Sequence, residues 1–360
     1  MSTAETRVLA GQVLVAGFPG THAPDELLRA CARDELAGVI LFKRNLGSMH
    51  QIAVLIARIA DSASHHTPLL VAVDQEGGRV ARLGSPVLKL PPMRALAALG
   101  DPALTSRAAK LLGLQLRALG FSMDFAPVLD VDTNPDNPVI GDRSFGTTPE
   151  QVIEQAYAFA SGLRAAGLLA CGKHFPGHGD TDLDSHLALP RLSHDRQRLD
   201  RVELPPFREA RGRLPALMTA HVVFESLARG IPATLSPEVI TGLLRGELGY
   251  DGAIISDDLE MKAVADHYGV EQAACLAIEA GCDTLLVCSR LDWTERARVA
   301  LAERAAREPA FKRRLEEAGE RTRVLRAGCT PAPITDEKAL ERALESEAAE
   351  ALALEISGRI

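Results

Sequence analysis

Short apolar runs alternate with longer segments of helical periodicity along most of this chain. Runs such as LLVAV at 69–73 and GAIIS at 252–256 are almost wholly apolar, as strands covered on both faces should be. The runs predict strands at Gln12–Gly17, Gly38–Phe42, Leu69–Asp74, Phe121–Val128, Leu168–Lys173, Ala216–His221, Gly252–Asp257 and Asp283–Cys288.

The segments between these strands show the spacing of amphipathic helices. The pattern predicts helices in these gaps, for example at Met49–Ile59, Ala103–Leu119, Pro149–Ala166, Leu204–Arg211, Pro237–Leu244 and Val264–Ala280. Regular alternation of strand and helix is typical of a parallel (β/α)8 barrel, with an open doubly wound sheet as the alternative. The barrel is favoured because polar residues follow many different strands, whereas an open sheet gathers its ligand groups near one switch point.

The C-terminal part of the chain is rich in Ala, Glu and Arg from about Thr294 onwards. Pro331 and Pro333 interrupt the helical pattern, and a last helix is predicted at Asp336–Glu355. We therefore expect a catalytic domain over residues 1–327 and a helical extension over 328–360 that carries no chemical motif.

Composition and charge narrow the class of protein. The chain has 360 residues, of which 46% are hydrophobic and 4% aromatic, and this suits one large barrel with many Ala- and Leu-rich helices. The formal net charge of -8 argues against nonspecific binding to nucleic acid, which needs a basic surface. The six cysteines are scattered without a CxxC pair, which predicts small buried side chains in a reducing compartment.

The chain shows neither a signal peptide nor an apolar run long enough to cross a bilayer. The sequence therefore predicts a cytoplasmic protein without a membrane partner. We expect it to be a monomer or a weak homo-oligomer.

The segment KHFPGHGDTDLDSH at 173–186 holds one Lys, three His and three Asp between glycines and a proline. Gly and Pro indicate a loop, and most polar loops of this kind are only solvated linkers. Imidazole groups, however, titrate near neutral pH and suit proton transfer or metal binding. This loop is therefore a candidate site.

Charged residues also follow other predicted strands. DQEGGRVAR begins at Asp74, GDRSFG contains Arg143, and ISDDLEM contains Asp257 and Asp258. A single Asp at a strand end is commonly the N-cap of the next helix. In a parallel barrel, however, all of these residues would project to the carboxyl-terminal mouth, where active sites lie.

Three chemistries could use such groups. A metal-dependent hydrolase would need ligands such as His174, His178 and His186, but their spacing fits no strong metal motif. Dinucleotide or phosphate chemistry is disfavoured because neither GxGxxG nor GxxxxGK[ST] occurs. Glycoside hydrolysis suits a mouth rich in Asp, Arg, Lys and His, because sugar hydroxyls need many directed donors and acceptors.

The four segments KHFPGHGDTDLDSH, DQEGGRVAR, GDRSFG and GAIISDDLEM together resemble glycoside hydrolase family 3. Within that family, the chain is similar to the single-domain bacterial β-N-acetylhexosaminidases of the NagZ type. The resemblance extends from about Gly11 to Cys288, with the motifs in the family's order. It implies that the second domain of many larger members is absent.

The resemblance implies a role for each matching residue. Asp257 matches the nucleophile, and His186, oriented by Asp184, matches the acid/base. The implied sugar ligands are Asp74, Arg82, Arg143, Lys173 and His174.

Neighbouring motif residues receive other expectations. Asp258 should cap a helix or support the site, because adjacent side chains on a strand point to opposite sides. We expect Arg79 to be structural, and His178 and Asp180 to shape the loop. His221 lies either in the pocket or packed at its strand end.

The resemblance also implies the reaction. It is the hydrolysis of terminal non-reducing N-acetyl-β-D-glucosaminides through a covalent glycosyl-enzyme, without a metal or an organic cofactor. The implied substrate is a GlcNAc–1,6-anhydro-MurNAc fragment, with or without peptide, from cell-wall recycling. A β-glucosidase, a phosphorylase that uses phosphate in place of water, and a metal-dependent hydrolase remain alternatives.

Overall fold

The computed structural model describes residues 3–63, 68–185, 187–328, 330–345 and 347–360. Its central feature is a closed, parallel barrel. The barrel strands are β1 (Leu14–Ala16), β2 (Gly38–Ile40), β3 (Leu70–Val73), β4 (Met123–Asp124), β5 (Leu169–Phe175), β6 (Ala216–Thr219), β7 (Ala253–Asp258) and β8 (Thr284–Val287). Closure occurs between β1 and β8, where Val15 pairs with Leu286. The (β/α)8 fold is therefore confirmed, and the open sheet is excluded.

Helices surround the barrel. They lie at Thr3–Gly11, Asp25–Ala32, Met49–Ser62, Met93–Ala98, Pro102–Leu119, Pro149–Ala165, Arg196–Arg201, Pro205–Arg208, Lys262–Ala280, Leu291–Arg307, Pro309–Ala327, Glu337–Leu344 and Glu347–Ser357, with a π-helical segment at Glu238–Glu247. Two small sheets lie outside the barrel. The antiparallel one joins Gln75–Gly77 to Val80–Ala81, and the parallel one joins Arg191–Leu192 to Val223–Phe224.

Side chains of the barrel strands alternate between two apolar layers. Val15, Ile40, Ala72 and Phe125 belong to a cluster separate from the larger one that the helices cover. This packing on both sides explains the continuous apolar runs of the strands.

Two helix predictions differ from the structure in extent. Only Pro205–Arg208 of the predicted helix at 204–211 is helical, and the chain then turns towards Gly212, whose φ is +68°. Such a φ favours glycine and ends helical geometry. The predicted helix at 237–244 is π-helical and extends to Glu247.

The predicted last helix at 336–355 is in fact two helices. Leu340 is buried in the first and Ile356 in the second. In one uninterrupted helix these two side chains would face nearly opposite directions, because they lie about four and a half turns apart at 3.6 residues per turn. The division of the helix lets both reach the protein core.

The cysteines behave as the composition predicts, within the described residues. Cys31, Cys171, Cys275, Cys282 and Cys288 are buried free thiols, and Cys329 lies outside the described residues.

Over the described parts of the chain, no helix combines the length and apolarity that a membrane crossing requires.

Candidate active site

A cavity of about 660 Å³ lies at the carboxyl-terminal mouth of the barrel. Its lining includes the predicted site residues Asp74, Arg82, Arg143, Lys173, His174, Asp184 and Asp257. Lys173 and His174 lie at the end of β5 and Asp257 at the end of β7, and the other four lie in the segments that follow β3, β4 and β5. Tertiary structure thus gathers side chains that are far apart in sequence. His186, the predicted acid/base, lies outside the described residues.

Lys173 lies at the centre of the charged groups in this cavity. Its side chain is 2% exposed, and its Nζ lies 2.9 Å from Asp74 Oδ1 and 2.6 Å from Glu76 Oε1. Burial works to lower the pKa of Lys173, but the carboxylates of Asp74 and Glu76 outweigh it and hold that pKa above its usual value. The ammonium group therefore stays charged at neutral pH.

Two arginines complete this cluster. Arg143 donates to both carboxylate oxygens of Glu76, at 2.9 and 2.8 Å, and Arg82 donates to Asp74 Oδ2 at 3.1 Å. Burial works to raise the pKa values of Asp74 and Glu76, but the surrounding cations hold both pKa values below their usual range. Both acids are thus anionic acceptors that keep the cations in fixed positions.

His174 is oriented by a buried carboxylate that follows β4. Its Nδ1 lies 2.7 Å from Asp130 Oδ2, and Asp130 Oδ1 accepts from the backbone N–H of His178 at 2.7 Å. Burial raises the pKa of Asp130, but His174 and His178 outweigh burial and lower it overall. One carboxylate therefore orients the start of the loop that follows β5.

His178 lies beneath the next part of the same loop. Its Nδ1 lies 2.7 Å from Thr181 Oγ1, and its Nε2 lies 3.0 Å from Ser185 Oγ. Burial, together with the nearby His174, lowers the pKa of His178 to about 4, so the ring is neutral at pH 7.

Asp180 binds two partners, Thr133 Oγ1 at 2.7 Å and His194 Nε2 at 2.6 Å. Both contact sets agree with the expected loop-shaping roles.

Asp257 and Asp258 both border the cavity, whereas strict alternation along a strand predicts only one. The pairing of β7 with β8 shifts register between Ile255 and Asp258, and such an irregularity breaks the alternation. Asp257 Oδ1 accepts from the backbone N–H of Asp258 at 2.8 Å.

The Asp258 carboxylate has structural partners. Its Oδ1 accepts from the backbone N–H groups of Glu260 at 3.0 Å and Cys288 at 3.1 Å. Burial, with the charges of Glu260 and Asp257 adding to it, raises the pKa of Asp258 to about 7. Asp258 thus holds the turn after β7, as a supporting residue would.

Arg79 and His221 lie apart from the central cluster. Arg79 Nε lies 3.0 Å from Asp142 Oδ1, and Arg79 Nη2 donates to the carbonyls of Val139 and Ile140. His221 is buried, with Nδ1 2.9 Å from Thr234 Oγ1 and Nε2 3.0 Å from the Asp258 carbonyl. Arg79 lines the rim of the cavity with contacts that suit a structural role, and His221 is packed at the end of its strand.

Sequence reasoning assigned no role to three buried carboxylates of the site: Glu76, Asp124 and Asp130. Glu76 lies within DQEGGRVAR, and its spacing could have indicated its role, because residues two apart in an extended segment share a face and Glu76 follows Asp74 by two. Asp124 is an acidic residue inside the apolar run FSMDFAPVL, and such a residue usually has a specific reason to be buried. Burial raises the pKa of Asp124 to about 8.

Within the described residues, no group of three or more His, Cys, Asp and Glu side chains is arranged to hold a metal ion. The histidines that the metal-hydrolase alternative would use bind neighbouring protein groups instead, His174 to Asp130 and His178 to Thr181 and Ser185. His186 again lies outside this description.

Comparison with protein families gives a match over most of the chain. Residues 10–326 match the family described as glycosyl hydrolase family 3 N terminal domain. A β-hexosaminidase from Alkalilimnicola ehrlichii is 44% identical over 283 residues, which are 77% of this chain and 80% of that protein.

Solved structures give the same result. A family 3 β-N-acetylglucosaminidase from a Paenibacillus species superposes with a TM-score of 0.91 at 43% identity, covering 98% of this chain and 68% of that one. NagZ from Neisseria gonorrhoeae superposes with a TM-score of 0.80 at 31% identity, covering 96% of this chain and 97% of that one.

Proposed function

Because the chain belongs to glycosyl hydrolase family 3 and is a β-N-acetylhexosaminidase, we propose that it releases terminal non-reducing N-acetyl-β-D-glucosamine with retention of configuration. The observation that carries this proposal is the shared cavity at the barrel mouth. There Asp257 borders the same space as Lys173, Asp74 and the arginines that bind the acids.

Asp257 is the proposed nucleophile. It would attack the anomeric carbon and form a glycosyl-enzyme that water then hydrolyses. The backbone N–H of Asp258 binds one of its oxygens at 2.8 Å and so limits the orientations of the carboxylate. Asp258 is less suited to the attack, because its Oδ1 already accepts two backbone hydrogen bonds.

His186 is the proposed acid/base, and Asp184 is its orienting partner. A carboxylate that binds an imidazole stabilises its charged form, which lets the ring donate a proton to the leaving oxygen and later accept one from water. Asp184 borders the cavity, which supports its place beside the reaction. The role of His186 rests on the family motif.

Asp74, Arg82, Arg143, Lys173 and His174 are the proposed sugar ligands. The cations donate and Asp74 accepts, as the hydroxyls of a neutral sugar require. Arg82 and Lys173 pair with Asp74, Arg143 pairs with Glu76, and His174 pairs with Asp130. These contacts fix the ligands before substrate arrives, which lowers the cost of ordering the site.

The proposed natural substrate is a GlcNAc–1,6-anhydro-MurNAc fragment, with or without peptide, processed in the cytoplasm during cell-wall recycling. We propose that residues 1–327 carry this activity and that residues 328–360 are an accessory helical extension. We propose further that the reaction uses neither a metal nor an organic cofactor.

Substrate comparison tests the activity. The purified protein should hydrolyse p-nitrophenyl N-acetyl-β-D-glucosaminide far faster than p-nitrophenyl β-D-glucoside, and it should release GlcNAc from muropeptide fragments. Activity should survive EDTA, and added phosphate should not change the product from GlcNAc to its 1-phosphate. A glucoside preference, a sugar phosphate product or loss with EDTA would contradict the proposal.

Paired substitutions test the nucleophile. Asp257→Ala should lower kcat by about a thousandfold or more, because the covalent step loses its attacking group. Asp258→Asn should cost about tenfold or less, because the amide oxygen still accepts the two backbone hydrogen bonds. If the losses are the other way round, Asp257 is not the nucleophile.

A further inference from the structure

Ser185 lies between the two residues of the proposed acid/base pair, Asp184 and His186. It is 1% exposed, although it belongs to a polar loop at the barrel mouth. Its hydroxyl Oγ lies 3.0 Å from His178 Nε2. A serine buried in this manner contributes little apolar surface, so its hydrogen bond is its main structural contribution.

His178 is itself held by two further contacts, one to the loop after β4 and one within its own loop. Its backbone N–H donates to Asp130 Oδ1 at 2.7 Å, and its Nδ1 lies 2.7 Å from Thr181 Oγ1. The imidazole is 1% exposed. The Ser185 hydroxyl is therefore bound to a ring that Thr181 also holds, on a residue whose backbone N–H is bound by Asp130 in the loop after β4.

The backbone of Ser185 makes a second contact in another direction. Its carbonyl accepts from the backbone N–H of Ala263 at 3.4 Å. Ala263 lies in the first turn of the helix Lys262–Ala280, which follows β7, the strand that carries Asp257. Ser185 thus connects the loop after β5 to the element that follows the proposed nucleophile.

The base of the same loop has anchors that do not involve Ser185. Asp180 binds His194 and Thr133, and Asn134 donates to the Thr181 carbonyl at 3.2 Å. Loss of the Ser185 hydroxyl should therefore leave the loop base folded and affect mainly residues 184–186.

We propose that Ser185 is a positioning residue, whose bond to His178 and contact with Ala263 hold the adjacent Asp184 in the orientation that the proposed acid/base step requires. This inference rests on the proposed acid/base function. A displacement of about 1 Å in a catalytic group can cost on the order of a hundredfold in rate, so one hydrogen bond next to the acid can control turnover.

The experiment compares two substrates that differ in their need for an acid. Leaving groups that depart as alcohols, as in the GlcNAc disaccharide, require protonation, whereas a 2,4-dinitrophenolate does not. For Ser185→Ala we expect kcat/KM to fall about tenfold to a hundredfold on the disaccharide. On 2,4-dinitrophenyl N-acetyl-β-D-glucosaminide we expect little change.

Ser122→Ala is the matched control. Ser122 is another fully buried serine, and its hydroxyl accepts from the Val71 backbone N–H at 2.8 Å, near the opposite end of the barrel. Its loss should change the two kcat/KM values by the same factor. Equal losses on both substrates for Ser185→Ala, or no loss on either, would overturn the positioning role.

A second variant, His178→Phe, removes the partner of Ser185 and keeps a ring. It should show the same dependence on the leaving group, and the double variant should be no worse than the poorer single variant, because each substitution already removes the Ser185–His178 contact. Additive losses would contradict the proposed contact.

His186→Ala separates this inference from the function on which it rests. Should His186→Ala lose activity equally on both substrates, the proposed acid is wrong. If His186→Ala loses more kcat/KM on the disaccharide than on the 2,4-dinitrophenyl substrate and Ser185→Ala does not, His186 remains the proposed acid and only the positioning role of Ser185 is wrong.

Discussion

At the barrel mouth, the protonation states of two buried charged residues are set by the charges of their neighbours. Lys173 stays charged and Glu76 stays ionised, because each is buried against opposite charge. Neither group gains or loses a proton near neutral pH, so both are suited to binding and not to proton transfer. This leaves proton transfer to a group outside the cluster, as the proposed role of His186 requires.

Asp124 gives a prediction about pH and stability. Burial raises the pKa of Asp124 to about 8, whereas an unfolded Asp ionises near pH 4. Between these values the folded state binds the extra proton, so the free energy of unfolding falls as pH rises, by at most about 1.4 kcal/mol per pH unit. Asp124→Asn removes this dependence and should stabilise the protein more at pH 8 than at pH 5.

Urea unfolding at pH 5 and pH 8 measures this difference. Asp136→Asn, at an exposed position, is the control for the loss of a carboxylate and should change stability little at either pH. If Asp124→Asn stabilises the protein more at pH 5 than at pH 8, the predicted pH dependence of the unfolding free energy has the wrong sign.

At the scale of elements, the two ends of the β7–β8 pair have different tasks. The register shift near the carboxyl end lets both Asp257 and Asp258 border the cavity.

At the other end of the β7–β8 pair, Asp283 precedes β8 and is fully buried. Its Oδ2 accepts from the backbone N–H of Ile254 at 2.9 Å, and its carboxylate pairs with Arg245 and with Arg314. This charge cluster joins the π-helical segment and the helix Pro309–Ala327 to the barrel.

Asp283→Ala should therefore destabilise the fold without changing the chemistry. Removal of the carboxylate leaves two partly buried arginines without their shared partner, which should cost about 3–5 kcal/mol of unfolding free energy. Denaturant unfolding measures the loss, and the KM for the aryl glucosaminide should be unchanged. Glu320→Ala, which breaks an exposed pair with Arg323, should barely change Tm. Equal effects of the two substitutions would contradict the role of the cluster.

At the scale of the whole molecule, the C-terminal segment packs on the outside of the barrel. Ile334 N donates to the Ala118 carbonyl at 2.8 Å, and Gln115 Nε2 donates to the Leu344 carbonyl at 2.7 Å. Both partners belong to the helix Pro102–Leu119 in the barrel wall. We therefore expect the proposed accessory extension to contribute to stability.

Two leucines of this segment test that contribution. Leu344 is 1% exposed and Leu354 is 74% exposed. Leu344→Ala should cost about 2–4 kcal/mol of unfolding free energy because it creates a cavity, whereas Leu354→Ala should cost less than about 0.5 kcal/mol. Thermal and denaturant unfolding measure both values. A negligible loss for Leu344→Ala would mean that the segment does not stabilise the barrel.

The sequence alone determined the order of the eight barrel strands, the main helices between them and the fold class. Apolar runs covered on both faces and segments of helical period are local patterns, so they can be found without knowledge of long-range contacts. The motifs also identified most of the polar side chains around the cavity, because residues after parallel strands must meet at one end of a barrel.

Tertiary structure decided which of these groups pair and what charge they carry. Nothing local in the sequence indicates that Lys173 lies between Asp74 and Glu76, or that Asp130 orients His174, because these partners are 44 to 99 positions apart. The pKa values of Asp124 and His178 depend on burial by distant segments, and the contacts of Ser185 depend on the packing of a loop against two other elements. The type of each residue is read directly from the sequence. Its hydrogen-bond partners, its burial and its protonation state are set only by the tertiary structure of the barrel.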